Sequence, residues 1–393
     1  MAFLLRHAYT ALVGSHPTRG PRRWSLASVV NLPNALAVCW ILLLWWGERT
    51  VFRSAIDECH WNRWERWAPG ATPHHLVFIA DPQLVDPHTY PGRPWPLSTL
   101  TVRYTDLYLG RSYSLLQGSL TPDTTAFLGD LFDGGREWST VTSESPEKQW
   151  KKYGEEFWLR EYRRFGGIFF DNYRKGEHAL GVGQRGRKIL ASLPGNHDLG
   201  LGVGIQLPVR DRFYTYFGEG SRVDIIGNHS LVSVDTVSLS AKGQTDPATA
   251  SQSSGEKIWK PVEEFLDGVQ AEKIRATGRE LEHQQGTMEG LRWPHKMTEL
   301  NETIPTREIY NGSAFPTILL THVPLYRPGG TPCGPLREHW PPTAPPKGQT
   351  EPLDRDERNA ISVHAGYQYQ NVLTPEISAE LVDKVGDVAH VFS

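Results

Sequence analysis

Eight side chains able to hold a cation or move a proton fall in four short clusters: Asp81 and Gln83; Asp130 and Asp133; Asn196, His197 and Asp198; and His322. Each cluster follows an apolar run of strand length. His75 to Ala80 leads into Asp81-Pro82-Gln83, and Thr125 to Leu128 leads into Gly129-Asp130-Leu131-Phe132-Asp133-Gly134-Gly135. Lys188 to Leu193 leads into Pro194-Gly195-Asn196-His197-Asp198, and Pro316 to Leu320 into Thr321-His322-Val323-Pro324. Carboxylates, carboxamides and imidazoles are the donors of divalent-cation sites, and imidazole also carries protons near neutral pH. Taken singly, each has a plainer reading. An Asp after a strand is commonly a helix cap or turn residue, and a lone His is more often a satisfied hydrogen-bonder than a ligand. Four strand-then-ligand units in one chain favour a shared site at the carboxyl ends of strands, where α/β proteins keep their sites.

The order Asp-x-Gln, Gly-Asp-x-x-Asp, Gly-Asn-His-Asp and a later lone His resembles the calcineurin-like metallophosphoesterases. Ala80-Asp81-Pro82-Gln83-Leu84 and Gly366-Tyr367-Gln368-Tyr369-Gln370 resemble one branch of that family. Its members are membrane-bound enzymes of the secretory pathway that trim ethanolamine phosphate from GPI-anchor glycans. The resemblance runs from about Val77 to the last residue. It implies an α/β fold, the four-layer αββα sandwich of two mixed sheets with flanking helices, and a phosphoric ester hydrolase.

The same resemblance implies two divalent metal ions, Mn²⁺ in this branch. A phosphodiester is anionic and has a poor leaving group; two cations about 3.5–4 Å apart address both difficulties. By position, Asp81 matches a first-metal carboxylate, and Gln83 stands where most of the superfamily has His. Asp130 matches the bridging carboxylate, while Asn196 and His322 match second-metal ligands. His197 matches the residue that faces the leaving group, Asp198 is expected to hold its ring, and Asp133 is expected to orient rather than ligate. An amide oxygen at Gln83 is a harder, weaker donor than imidazole, which favours Mn²⁺ over Zn²⁺. The family closes its site with Gly-His-x-His or Gly-x-x-His from a late loop. No Gly-His-x-His occurs here, and Val388 to Ser393 reads as the strand that would deliver such a loop. The expectation is a domain incomplete at its C-terminus, and a chain of low activity on its own.

Composition narrows the setting. The 393 residues are 39% hydrophobic and 22% charged, enough for a sizeable core, and a net charge of −3 gives no basis for nucleic acid as a partner. Residues 24–47 carry no charge and follow Arg6, Arg19, Arg22 and Arg23. They read as a transmembrane signal anchor, with residues 1–23 cytosolic and the remainder luminal in the endoplasmic reticulum or Golgi. A cleaved signal peptide is the rival, and no small-x-small site follows Trp45-Trp46-Gly47 to support it. Residues 48–75 form a juxtamembrane segment in which Trp61, Trp64 and Trp67 recur at helical spacing, to lie on the bilayer or to pack on the catalytic domain.

Residues 76–393 are expected to form the metallophosphoesterase domain, with insertions near 137–187 and 241–303. The first includes a helical stretch from Glu155 to Phe170; the second is a polar surface excursion around a helix near Lys257 to Leu281. Sequons at Asn228, Asn301 and Asn311 suit N-glycosylation in a lumen. Cys59 and Cys333 either form one disulfide or are two buried free thiols. His364, near the Tyr-Gln-Tyr-Gln run, has a structural reading with substrate contact as the alternative, and His390, inside an apolar terminal stretch, reads as packed. The implied partners are a GPI-anchor glycan or GPI-anchored protein as substrate, and membrane lipid. The rival readings are a phosphoesterase for another luminal substrate and a non-catalytic membrane glycoprotein using the sandwich as a binding module.

Overall fold

A computed structural model describes residues 31–145, 147–176, 186–244, 253–284, 310–326, 365–366, 369–370 and 372–393. The chain divides into two compact units, Met1–Arg63 and Trp64–Ser393.

The first unit is built on helix α1, Leu32–Glu58, of 27 residues. Asn31 caps it by accepting the Asn34 amide at 3.0 Å, and Pro33 lies in the first turn, where its missing N–H costs nothing. One wide turn, Trp46–Thr50, follows the apolar stretch and centres on Gly47 and the first charges. Among the described residues α1 is the one helix long and apolar enough to cross a membrane, and none of its residues is buried. Residues 24–30 of the expected span lie outside the described residues. A short helix, Trp61–Trp64, stops before Trp67, so a continuous helical face does not carry all three tryptophans. Trp67 is held by its own indole N–H on Glu65 Oε2 at 2.8 Å.

In the second unit, strands β1 (Leu76–Ile79), β2 (Thr124–Phe127) and β3 (Lys188–Leu190) form one sheet in that order, parallel throughout. Strands β4 (Arg222–Ile226), β5 (His229–Ser233), β6 (Thr317–Leu320) and β9 (Val388–Phe392) form the other. There β4 is antiparallel to β5, while β5, β6 and β9 run parallel. Among the described residues only the second sheet is mixed, where two mixed sheets were expected. Parallel β1, β2 and β3 need long crossovers, and helix α2 (Leu97–Leu120) and helix α3 (Glu155–Phe165) occupy them. β4 turns directly into β5 through Gly227-Asn228, both at positive φ, the backbone of a two-residue hairpin. A small hairpin, β7 (Ala365–Gly366) with β8 (Tyr369–Gln370), falls on the glycine-tyrosine motif.

Alternate strand residues serve two apolar clusters, as the period of two requires. Leu76, Phe78 and Leu190 of the first sheet meet Ile226, Leu231 and Leu320 of the second, with Leu128 and Leu193. Phe78 stacks on Phe392 at 4.4 Å between ring centroids. On its other side Phe127 packs against Tyr113 of α2, Phe165 of α3 and Phe169. Val232 and Leu319 join a larger cluster with Ile258, Val262, Leu266 and Val269 of helix α5 (Ser253–Gln284), and with Leu381 and Val385 of helix α6 (Pro375–Val385). Helix α4, Leu207–Phe217, contributes Phe213 to the same cluster.

Two expectations change here. The polar stretch after Ala241 is not a surface excursion over its central part. Its helix α5 covers the second sheet, and buried Lys273 donates to Thr317 Oγ1 at 3.0 Å and to the Val385 carbonyl at 2.6 Å. His390 is exposed rather than packed, because β9 pairs with β6 alone among the described residues and turns most of its side chains outward. Replacing Leu231 with Ala removes a fully enclosed side chain between the sheets. It is expected to lower unfolding free energy by about 3 kcal/mol, read from urea denaturation of the detergent-solubilised chain.

Candidate metal centre

The centre forms where the ends of β1, β2 and β6 meet the loop after β3. Hydrogen bonding continues past the strands: the Leu128 amide donates to the Ile79 carbonyl at 2.9 Å, and the Gln83 amide to the Asp130 carbonyl at 2.9 Å. This zipper aligns Asp81 with Asp130. Both carboxylate residues, and Gln83, adopt positive φ (46°, 49° and 32°), a region that non-glycine residues rarely occupy and that costs of order 1–3 kcal/mol each. Gly195 permits a still closer approach. A Cβ there would lie 2.0 Å from Asp130 Oδ1, and one on Gly129 would lie 2.6 Å from His322 Nδ1.

The tips converge. Ligand atoms of Asp81, Asp130 and His322 all lie within 4.8 Å of one another. His322 hydrogen-bonds through Nδ1 to the Leu128 carbonyl at 2.9 Å. Nε2 then faces Asn196 Oδ1 at 3.1 Å and Asp130 Oδ1 at 3.5 Å. An imidazole anchored at one nitrogen by a carbonyl and open at the other is oriented as a metal ligand. The His322 loop is itself fixed by buried Thr236, whose hydroxyl accepts the amides of His322 at 3.2 Å and Val323 at 2.9 Å. Asp81 keeps an exposed side chain; partial desolvation and the neighbouring charge of Asp130 raise its carboxyl above its ordinary range, against the pull of His322. Two carboxylates crowded together with an amide oxygen and an imidazole are a donor set that a divalent cation satisfies.

Gln83 reaches the centre differently from the expectation. It donates Nε2–H to Asp130 Oδ2 at 3.0 Å, so its amide serves the carboxylate. The two aspartates around His197 also exchange roles. Asp133, not Asp198, holds the His197 ring, with Oδ1 at 3.1 Å and its carbonyl at 2.8 Å from Nδ1. Burial would lower the His197 pKa, but hydrogen bonding to Asp133 and the charge of Asp130 outweigh it and raise it. Asp198 is buried and accepts three backbone amides, from Leu131 at 3.1 Å, Phe132 at 3.0 Å and Gly195 at 2.9 Å. Its carboxylate ties the loop after β2 to the loop after β3.

With that geometry in view, one curated protein bears comparison. The chain is similar to cell division control protein 1 of Saccharomyces cerevisiae. They are 32% identical over 349 residues, 88% of this chain and 52% of the yeast protein, so the chain spans about half the length of the relative it matches. No protein-family model matches the chain, and no solved structure does.

Several supporting residues carry no signal in the motifs. Asp86 accepts the amides of His88 at 2.7 Å and Gly134 at 2.9 Å, and His88 Nδ1 lies 3.2 Å from Asp133 Oδ2. Ligand atoms of Asp86, His88 and Asp133 also lie within 4.8 Å of one another. Asp86 is already committed to backbone amides, so this group acts as a brace behind Asp133 and through it behind His197. Burial and the charge of Asp133 push Asp86 up to about 6. Buried Arg212 of α4 gathers the carbonyls of Gly135, Trp138 and Ser139. Arg136 donates to the Asn196 carbonyl at 3.2 Å. The Asp86-Pro87-His88 spacing is the one trace of the brace in the sequence.

Of the remaining residues, Asn228 and Asn311 are exposed, and Asn301 lies outside the described residues. Cys59 is an exposed free thiol, and Cys333 and His364 lie outside the described residues. Because a methyl group at residue 195 must displace Asp130, Gly195→Ala is expected to weaken Mn²⁺ binding by about tenfold or more, measured by isothermal titration calorimetry, while the circular dichroism spectrum is unchanged.

Proposed function

We propose that the chain carries the catalytic unit of a metal-dependent phosphodiesterase. In this reading the two sheets and their flanking helices form the four-layer αββα sandwich of the calcineurin-like metallophosphoesterases. The observation that carries it is the convergence of Asp81, Asp130, Asn196 and His322 beside a His197 whose ring is pinned by Asp133. Divalent cations held by those four residues would supply Lewis acidity toward phosphoryl oxygens and the attacking water.

The chain's own groups do the rest. Asp133 holds Nδ1 of His197, which leaves Nε2 for the leaving-group oxygen. Hydrogen bonding to Asp133 favours the protonated ring, the form from which a general acid donates. Gln83 and the His197 amide each donate to Asp130, at 3.0 and 2.7 Å, and fix the carboxylate between the two halves of the site. Arg136 and Asp198 hold the turn that presents Asn196.

The substrate we propose is a phosphodiester on a membrane-attached glycan, ethanolamine phosphate on a GPI-anchor mannose. Resemblance of the Asp81 and Gly366 motifs to the GPI-remodelling branch supports this reading. An apolar α1, the Arg excess before it and exposed Asn228 and Asn311 suit a single-pass membrane protein of the endoplasmic reticulum or Golgi, glycosylated on its luminal side.

Equilibrium dialysis against Mn²⁺ is expected to give close to two ions per full chain, and Asp130→Ala to lose both; no bound metal would overturn the reading. An imidazole-poor first position favours Mn²⁺, so tightly held Zn²⁺ alone would contradict the metal assignment. Among metal-loaded chains, His197→Ala is expected to cut hydrolysis of bis(p-nitrophenyl) phosphate by about 10²-fold or more with metal content retained. Comparing GPI glycans from cells with and without the gene tests the substrate. Retention of ethanolamine phosphate is expected in its absence.

A further inference from the structure

The second unit concentrates its exposed apolar side chains in one place. Seven of the fifteen large ones among its described residues lie between Tyr90 and Tyr108. Trp95, 81% exposed, precedes α2 in a Pro-Trp-Pro loop, and Leu97, Leu100, Tyr104, Leu107 and Tyr108 follow at the spacing of one helical face. Helix α2 has 24 residues, yet its buried ones, Tyr113, Gln117 and Leu120, all lie in its last third. The first two-thirds carry an outward apolar face without covering it. Monomeric soluble proteins rarely leave such a patch open.

Charge identifies the occupant. Between Pro87 and Pro122 the chain carries Arg93, Arg103 and Arg111 and a single acid, Asp106. Asp106 is consumed by Arg164, with two contacts of 2.8 Å. The face thus combines Trp, Tyr and Leu with the guanidinium groups of Arg93 and exposed Arg103, the composition of elements that lie in a bilayer interface over anionic headgroups. Along the chain, only residues 59–63 separate the end of α1 from the start of this unit. A membrane-inserted α1 would therefore keep the unit at high local concentration near lipid.

We infer that the face formed by Trp95 and the outer stripe of α2 docks the second unit onto the surface of an anionic bilayer. A groove of about 900 Å³ opens beside this stripe, lined by Val102, Arg103 and Leu107 of α2, by Tyr90 and Trp150, and by Asp86 of the brace behind Asp133. Docking would turn that groove toward lipid-borne ligands. The inference is independent of the phosphodiesterase reading.

The test uses the full chain reconstituted in vesicles of phosphatidylcholine with or without phosphatidylserine. Cys39, Cys59 and Cys333 are replaced by Ser. A nitrobenzoxadiazole label is then placed on Trp95→Cys, Tyr104→Cys or, as a control on α6, Val382→Cys. Labels at 95 and 104 are expected to be quenched by nitroxide lipid and shielded from aqueous iodide, and the label at 382 to behave oppositely. Arg93→Glu with Arg103→Glu is expected to reduce the lipid quenching at 95 and 104, most strongly in vesicles containing phosphatidylserine. Iodide access to 95 and 104 in vesicles overturns the proposal. So does shielding that persists in detergent and grows with protein concentration, which would assign the face to a second copy of the chain.

Discussion

The arrangement of the second unit depends on how closely the loop after β3 approaches Asp130. Two glycines make the approach possible, and Asp198 enforces it by accepting amides from both loops. Asp130 in turn accepts from Gln83 on one oxygen and from the His197 amide on the other. His322 Nε2 also faces Asp130 Oδ1 at 3.5 Å, and positive φ at Asp81 and Asp130 shows that the backbone is held there against its local preference. The surrounding packing over-determines the loops. Leu128 and Leu193 anchor them in the cluster between the sheets, and Phe132 anchors them in the aromatic cluster with Trp158 and Phe165.

The strands and the converging side chains were legible in the sequence because both signals are local. An apolar run of four to six residues followed by polar groups reads the same in sequence and in space, so Asp81, Asp130, Asn196 and His322 could be named before their distances were known. Roles set by through-space partners were not legible. Asp198 is next to His197 in the chain, but the short helical turn Asn196–Leu199 sends it inward to the amides, and Asp133, sixty-four residues earlier, reaches the ring instead. Helix α5 was misplaced for a related reason. Its buried Ile258, Val262, Leu266 and Val269 follow a helical period, but Pro261, many charges and polar flanks make the stretch look like surface. Lys273 deepens the disguise, because a buried lysine bonded to carbonyls has no signature in composition.

One arginine relates the apolar stripe of α2 to the metal centre. Arg164 of α3 binds Asp106 of α2 through two nitrogens, pairs with Glu161, and donates to the Val85 carbonyl at 2.7 Å. Val85 follows Leu84, whose amide extends the β1–β2 zipper, and precedes Asp86, which secures Gly134. Planar guanidinium donors hold several acceptors at fixed angles, so α2, α3 and the loop after β1 are set by a common centre. A displacement of α2 would strain that centre before it reached solvent-exposed residues, because Arg164 and Glu161 are largely enclosed and cannot exchange partners with water at little cost. The hydrogen bonds of Arg164 thus join α2 to the loop that follows Gln83, beside the apolar packing of Tyr113 on Phe127.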